Sequence, residues 1–378
     1  MKNKYIPASE PSQNRGELSE LLEREVARFL GIKHAVFCNS GSSANLLAFM
    51  ALTSPLHGSK AIHPGDEVIT CAVNSPTLVA PIVQAGAIPV WVDITIGGYN
   101  TTPFMVSEAI TDKTKAIYLS HTLGNPFDAQ KIRDIAEQSG LWFIEDFSGG
   151  IGGEFAGQKL GTFGNISTTN FGSGGLVLTD SPMLNLIVLS LCDMGKTYSP
   201  NKQIPKDFPE DYNYRDIYSH LGYNLKATDL QATLAMEQLK NLPQIIEKKQ
   251  ETWNRLCYEF LKIGLDKWFI VPTHYTDALP NPAGFLITIK SNAKFSRQEL
   301  SQYLDEQGIG TEFLFGGNLS KHPAFIGKGR IADTIPKSDF IMTNSFFIGC
   351  HPDMGENEIN HIVSAFMKFV EINDDTPE

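Results

Sequence analysis

The sequence is short of positive charge. Its 31 lysines and arginines are outnumbered by 42 aspartates and glutamates, a formal net charge of −11. That balance argues against nucleic acid or an anionic membrane surface as the main partner, because nothing would neutralise their phosphates. A local basic pocket for one small anion stays open. Cysteine is scarce: Cys38, Cys71, Cys192, Cys257 and Cys350 are odd in number, far apart and without any C-x-x-C spacing. The pattern argues against an iron–sulfur cluster or a zinc site, and no metal ligands are assigned; the thiols read as buried and free, in a reducing compartment. No apolar run approaches a membrane span. The opening residues, MKNKYIPASEPSQNRGELSE, hold no signal-type apolar core. A cytoplasmic protein is expected. No period of about 20–50 residues recurs, and no segment is of low complexity. A last absence is local: residues 168–180, TTNFGSGGLVLTD, read as a tight hairpin and contain neither lysine nor histidine.

What is present is an α/β pattern. A chain of 378 residues is too long for one compact core and suits two domains. The division expected is a large domain over 1–250, with an N-terminal helix at 16–31, and a small one over 251–378. Strands such as DEVITCAV, IPVWVDI, KAIYLSH and LWFIED alternate with helices such as PTLVAPIVQAG and FDAQKIRDIAEQSG. The strands are continuous apolar runs, as buried parallel strands must be when helices cover both faces. After a helix near 182–194 comes a polar loop rich in proline and tyrosine, then a long helical region near 227–262. From about residue 265 strands and helices read as a smaller α+β domain, ending in an acidic tail expected to fray.

Four stretches could carry chemistry. In NSGSSANLL, Gly41 permits a tight strand-to-helix turn, and Ser42 and Ser43 put hydroxyls and N–H groups at a helix N-terminus. That is an anion site by geometry, or simply a capped helix start with Ser42 as N-cap. In LWFIEDFSGG, Glu145 and Asp146 end an apolar strand, where parallel sheets bind ligands; an acid there could hold a cationic ring nitrogen or a metal, or cap a turn. In SHTLGNP, His121 follows another apolar strand, and a lone histidine is more often structural than catalytic. In YSHLGYNLKATD, Tyr223, Asn224 and Lys226 precede the long helix.

Taken together, NSGSSANLL, GDEVITCAV, GAIPVWVDI, SHTLGNP, FIEDFSGGIGG, GTFGNISTTNF, SHLGYNLKATDLQA, GTEFLFGGNLSKHPAF and FFIGCHPDM resemble the DegT/DnrJ/EryC1/StrS family of sugar aminotransferases. Within it they are most similar to nucleotide-sugar 3-dehydratases of the GDP-4-keto-6-deoxymannose type. The resemblance spans roughly residues 15–370. It implies the fold-type-I architecture of pyridoxal phosphate (PLP) enzymes: a large domain with a mostly parallel, seven-stranded sheet, a smaller C-terminal domain, and a homodimer with a shared active site. The implied substrate is a nucleotide-activated keto-deoxysugar, as used in deoxysugar and lipopolysaccharide O-antigen biosynthesis. Residue by residue, Gly41, Ser42 and Ser43 match the turn that holds the cofactor phosphate. Asp146 matches the acid that keeps the pyridine nitrogen protonated. Ser148 matches a small residue beside the ring, Asn170 stands where a serine is usual, and Asn224 matches an asparagine reaching across from the neighbouring subunit.

Some positions depart from the family. The loop after ISTTNF, which bears the Schiff-base lysine, or a histidine in the dehydratases that use pyridoxamine phosphate (PMP), is missing: Phe171 runs straight into GSGG. The ring-stacking aromatic is Ser75, an aspartate is Gly149 and an arginine is Glu312. The iron–sulfur dehydratases' cysteine insert after CDMGKTYS is absent too, so no cluster is expected. Lys159 and Lys196 read as surface lysines, and Lys226 and Lys321 are candidate sources of positive field. Three readings stay open. One is an enzyme that binds PMP or PLP without covalent attachment and recruits a base such as His220 or His121. Another is a non-catalytic relative binding a sugar nucleotide or a partner subunit. The third is an ordinary sugar aminotransferase or dehydratase whose catalytic loop is absent from this sequence.

Overall fold

A computed structural model describes residues 16–196, 209 and 217–373. The expected fraying of the acidic tail from residue 374, and most of the polar loop at 197–216, lie outside these residues.

The first helix, α1 (Glu17–Leu30), leads into β1 (His34–Cys38) and α2 (Gly41–Leu52). Then follow β2 (Glu67–Cys71), α3 (Pro76–Gln84), β3 (Ile88–Val92), α4 (Pro103–Ala109), β4 (Thr114–Ser120), α5 (Ala129–Gln138) and β5 (Trp142–Asp146). Two short strands, β6 (Glu154–Phe155) and β7 (Gln158–Lys159), precede the hairpin β8 (Ile166–Phe171) and β9 (Gly174–Thr179), and α6 (Pro182–Cys192) closes this half. The long helix α7 (Asp229–Lys262) leads to β10 (Phe269–Ile270), β11 (Ala278–Leu279), β12 (Gly284–Ile289), α8 (Arg297–Glu306), β13 (Thr311–Glu312), β14 (Arg330–Ile331), α9 (Pro336–Asn344), β15 (Ser345–Gly349) and α10 (Glu356–Asn373).

The main sheet has the order β1-β9-β8-β5-β4-β2-β3-β14. Only β9 runs against its neighbours; from β8 to β14 every pair is parallel. Seven strands come from the first half of the chain, matching the seven expected, and the eighth, β14, is lent by the C-terminal half. Helices α2, α3 and α6 cover one face; α1, α4, α5 and the start of α7 cover the other. Covering on both faces explains why the strands read as unbroken apolar runs. The C-terminal strands form a separate four-stranded sheet, β10-β12-β15-β13. It packs with α8, α10 and the far half of α7 around Phe260, Phe269, Phe285 and Phe366.

The boundary expected at residue 250 falls inside α7, which serves both cores. Part of the C-terminal half also belongs to the large core: Leu319, Phe325 and Ile335 pack beneath α2 and α3. Arg330 anchors that excursion with two 2.7 Å bonds to the Glu67 carboxylate. All five cysteines are free thiols, four buried and Cys257 half-buried. Among the described residues no cluster of metal-ligating side chains occurs, and no helix is long and apolar enough to cross a membrane.

Candidate active site

The parallel strands β8, β5, β4 and β2 end at one edge of the sheet, and most of the candidate residues meet there. Strand β1 delivers the chain to the same edge through Asn39 and Ser40. The N-cap of α2 is Ser40, two residues earlier than the Ser42 expected: its Oγ accepts the Ser43 N–H at 3.1 Å. The Ser43 hydroxyl donates to the Asn39 side-chain oxygen at 2.6 Å. Ser42 therefore has no capping duty and is exposed at the positive end of a twelve-residue helix. Gly41 is needed for close approach, because a Cβ there would lie 2.9 Å from the Cβ of Asn170.

Asn170, on β8, joins this turn to the end of β5. Its side-chain oxygen accepts the Gly149 N–H at 2.9 Å, and its own N–H donates to Ser148 Oγ at 3.3 Å. Ser148 in turn donates both its N–H (3.0 Å) and its hydroxyl (2.7 Å) to one oxygen of Asp146. Ser120, opposite Asp146 in the β4–β5 register, donates to the other oxygen at 3.2 Å. The structure thus brings Gly41, Ser43, Asp146, Ser148 and Asn170 into one connected group.

Asp146 is 2% exposed and makes no ion pair among the described residues. Burial pushes its carboxyl above the ordinary aspartate value, against the pull of Ser148, Ser120 and His121. A buried carboxyl held by hydroxyls, with no cation of its own, suits a protonated ring nitrogen. A glycine cradle and an open helix N-terminus next to it suit a phosphate. The residues present therefore fit PLP or PMP.

Tyr118, Asn45 and Thr77 were not singled out from sequence. Tyr118 lies fully buried and donates to Asn45 at 3.0 Å, and Asn45 donates to Thr77 at 3.2 Å. Ser75, standing where the resemblance expects an aromatic, is the N-cap of α3 and bonds Thr77 Oγ1 at 2.8 Å. Ser120, which directly precedes His121, was missed too: its role follows from the β4–β5 register that sets it opposite Asp146.

The other candidates lie elsewhere. His121 is fully buried in the core, stacked on Phe127 with ring centroids 3.9 Å apart. Its Nδ1 accepts the Phe127 N–H at 3.2 Å, so Nε2 carries the proton and faces Glu145 Oε1 at 3.0 Å. Glu145, the other acid of the motif, also accepts the N–H groups of Gly161, Phe163 and Gly164. His220 bonds Ser54 Oγ at 2.9 Å and Ser190 Oγ at 3.2 Å. Ser54 lies past the C-terminus of α2, roughly 16 Å from Ser43 by the helix rise, so within one chain His220 is far from Asp146. Burial, then His57, pushes its imidazole below the usual histidine value. Asn224 is exposed, its backbone bridging Asp193. Each candidate lysine faces a carboxylate: Lys159 with Glu154, Lys196 and Lys226 with Asp193, and Lys321 with Asp339.

In place of a lysine-bearing loop, β8 and β9 are joined by two residues. Phe171 pairs directly with Gly174, and Gly172 sits at φ 58° while Ser173 keeps a negative φ, the pattern of a type II′ hairpin. The turn is fastened to α7: Gly172 N–H donates to Gln238 at 2.9 Å, and Gln231 donates to the Ser173 carbonyl at 2.7 Å.

A mostly parallel sheet between helix layers, with an acid at one strand end and a glycine–serine turn beside it, defines the PLP-dependent transferase class of fold. The model of the DegT/DnrJ/EryC1/StrS aminotransferase family matches residues 5–367, and the chain belongs to that family. Over 370 residues it is 40% identical to a dTDP-4-dehydro-2,6-dideoxy-D-glucose 3-dehydratase of Saccharopolyspora spinosa, covering 92% of this chain and 79% of the relative. It is 38% identical over 384 residues to the lipopolysaccharide biosynthesis protein RfbH of Salmonella typhimurium, covering 95% of this chain and 86% of RfbH. The solved E. coli GDP-4-keto-6-deoxy-D-mannose-3-dehydratase with bound hydrated PLP superposes with a TM-score of 0.82 at 26% identity, covering 93% and 92% of the two chains.

Proposed function

We propose that this protein is a cytoplasmic enzyme of deoxysugar biosynthesis, acting on a nucleotide-activated 4-keto-6-deoxyhexose by 3-dehydration or amination, with PMP or PLP held without a covalent lysine. The observation that carries the reading is the connected group Gly41–Asn170–Ser148–Asp146, whose buried acid has no cation of its own. The similarity to 3-dehydratases over most of the chain favours dehydration over amination. Bound at this site, the cofactor would supply an electron-accepting ring. Asp146 would keep the ring nitrogen protonated, and Ser148 and Ser120 would hold that carboxylate in place. The open first turn of α2, with Ser42 and Ser43, would take the phosphate. The exposed Asn224 suits a contribution to a second chain's site in a homodimer. His220, on the same segment, can serve as a base only by giving up its serine partners.

That last point favours a second reading, a non-catalytic relative that binds a sugar nucleotide or a partner subunit. Neither candidate histidine has a free ring nitrogen beside Asp146. The tight packing of the Gly172–Ser173 turn on α7 supports a hairpin native to the protein over an ordinary aminotransferase that has lost its loop. Absorbance titration with PLP and with PMP, then borohydride reduction and mass analysis, separates the readings. The enzyme reading expects tight PMP binding and no PLP fixed by reduction. PLP fixed to a lysine would replace it with a relocated-lysine enzyme, and failure of both to bind would leave the non-catalytic reading.

A further inference from the structure

Tyr118 grips helix α2 at two successive turns. It stands on β4 two residues before Ser120, so the two side chains leave the sheet on the same face. Ser120 lies opposite Asp146 and bonds its carboxylate at 3.2 Å. On that face the Tyr118 ring stacks on Phe49 of α2, with centroids 6.4 Å and planes 7° apart. Its hydroxyl reaches one turn further towards the start of the helix and donates to Asn45 Oδ1 at 3.0 Å. Asn45 spends its own N–H on Thr77 Oγ1 at 3.2 Å, and Thr77 bonds Ser75, the cap of α3. Tyr118 and Asn45 are 0% and 3% exposed, so water does not replace the bond between them. Burial, then the charge of Asp146, pushes the phenol well above its ordinary value, and it remains a donor through the neutral range.

These contacts join the two ends of the candidate cofactor site from below. Helix α2 begins at the turn that suits a phosphate, and β4 holds Asp146 through Ser120. In PMP the phosphate hangs on a short arm from the ring, so its separation from the ring nitrogen is nearly fixed. Two weak anchors met at once bind far more tightly than either alone, and the gain is lost when their geometry does not match the ligand. A small misplacement is enough to forfeit much of it. Spacing carries extra weight in this chain, because Ser75 stands where the resemblance expects a ring-stacking aromatic. Its hydroxyl is engaged with Thr77 at 2.8 Å, and stacking at this position is not available to hold a cofactor that meets only one anchor.

We propose that Tyr118 and Asn45 are positioning residues, whose hydrogen bond sets the distance between the phosphate turn of α2 and the Asp146 carboxylate so that one cofactor meets both. The inference rests on the cofactor reading above and adds which buried pair fixes the spacing. The test is titration of the full chain with PMP and with its two halves, pyridoxamine and inorganic phosphate, each half read by displacement of PMP. Tyr118→Phe keeps the ring and its stack on Phe49 and removes only the hydroxyl. It is expected to bind PMP about tenfold more weakly, while the affinities of the two halves stay close to those of wild type. Asn45→Ala should weaken PMP as well, and the double variant should bind no more weakly than Asn45→Ala, because the two changes remove one shared bond. Arg330→Ala, which loosens the opposite edge of the sheet at β14, is the control for lost stability and should bind PMP as wild type does. Unchanged PMP affinity in Tyr118→Phe overturns the inference. A loss shared equally by PMP and either half overturns it too, since that marks a damaged anchor, as does an equal loss in Arg330→Ala, which marks general loosening. Wild type that binds no PMP sinks the cofactor reading and this inference with it. Wild type that binds PMP, with Tyr118→Phe binding it equally well, sinks the inference alone.

Discussion

Gly149 donates its backbone N–H to the side-chain oxygen of Asn170 at 2.9 Å. This one bond ties the turn after β5, which carries Asp146 and Ser148, to the strand that enters the shortened hairpin. Asn170 is exposed, so losing its amide leaves Gly149 free to bond water and costs little stability. Asn170→Ala is expected to lower stability by no more than about 1 kcal/mol yet weaken PMP binding about tenfold. Asn170→Asp keeps the acceptor but adds a negative charge near the α2 N-terminus, so it should preserve stability and still weaken PMP. Urea midpoints and absorbance titration read the two effects separately. Equal PMP affinity in all three proteins would remove Asn170 from the site.

Asp146 ties stability and binding together with opposite signs. Its carboxyl is raised above the ordinary aspartate value by burial. A group whose folded pKa is raised gives stability that is present below its unfolded value and lost as pH rises through the folded value. Without cofactor, the Asp146 contribution should therefore fall as pH climbs from about the ordinary aspartate value of 3.8 through the raised one. Asp146→Asn removes that slope and should stabilise the cofactor-free protein near neutral pH by roughly 1–2 kcal/mol, while abolishing PMP binding. Thermal melts across pH 3–8 of both proteins check it. An unchanged slope in the variant would rule the argument out.

Much of this arrangement was legible in the sequence. The alternation of apolar strands and helices fixes the layers, and α1 and α7 begin and end within two residues of the helices expected at 16–31 and 227–262. NSGSSANLL and FIEDFSGG stood out as candidate site motifs because each puts a glycine–serine turn or an acid at the end of an apolar strand, a placement that an ordinary cap shares. What was hidden depends on register and on long-range packing. Ser120 matters because it lies opposite Asp146 across β4 and β5, a pairing that sequence spacing does not state. The role of Ser40, not Ser42, as cap is a shift of two residues at a helix start. His121 belongs to the core through Phe127 and Glu145, a closure that local sequence does not reveal. The lending of β14 to the large sheet rests on the Arg330–Glu67 pair, 263 residues apart.

That pair gives a pH dependence opposite to Asp146. The Arg330 guanidinium bonds hold the Glu67 carboxyl below the usual glutamate value, against burial and with help from Thr111. A lowered folded pKa gives stability that is present above the unfolded value and lost as pH falls through the folded one. Acid should thus release the β14 segment from β3. Arg330→Ala leaves Glu67, 6% exposed, with a buried unmatched charge, and should cost roughly 1–3 kcal/mol at neutral pH. Because Glu67 would then no longer gain from ionising, the variant should lose less stability than wild type between pH 5 and 3. Denaturant midpoints at the two pH values measure this. A loss that is equal in both proteins would mean the pair carries no pH dependence.

The shortened hairpin makes its own demand on α7. A Cβ on Gly172 would lie 2.9 Å from the Cβ of Ala235 and 3.0 Å from its Cα, with the backbone at φ 58°. Side-chain strain and the left-handed conformation add, so Gly172→Ala is expected to cost roughly 1–3 kcal/mol. Ser173, exposed at the second turn position, should accept glycine at little cost. Gln231 has a wider reach: it completes the capping box of α7 and donates both to the Ser173 carbonyl and, at 3.1 Å, to the Asn39 carbonyl beside the serine turn. Gln231→Ala should therefore lower stability by about 1–2 kcal/mol and also weaken PMP binding, whereas Gly172→Ala should act on stability with a smaller effect on PMP. Hydrogen exchange at residues 39–43 distinguishes the two. Faster exchange there in Gln231→Ala but not in Gly172→Ala is the expected result, because Gln231 bonds the Asn39 carbonyl directly and Gly172 makes no bond to that turn.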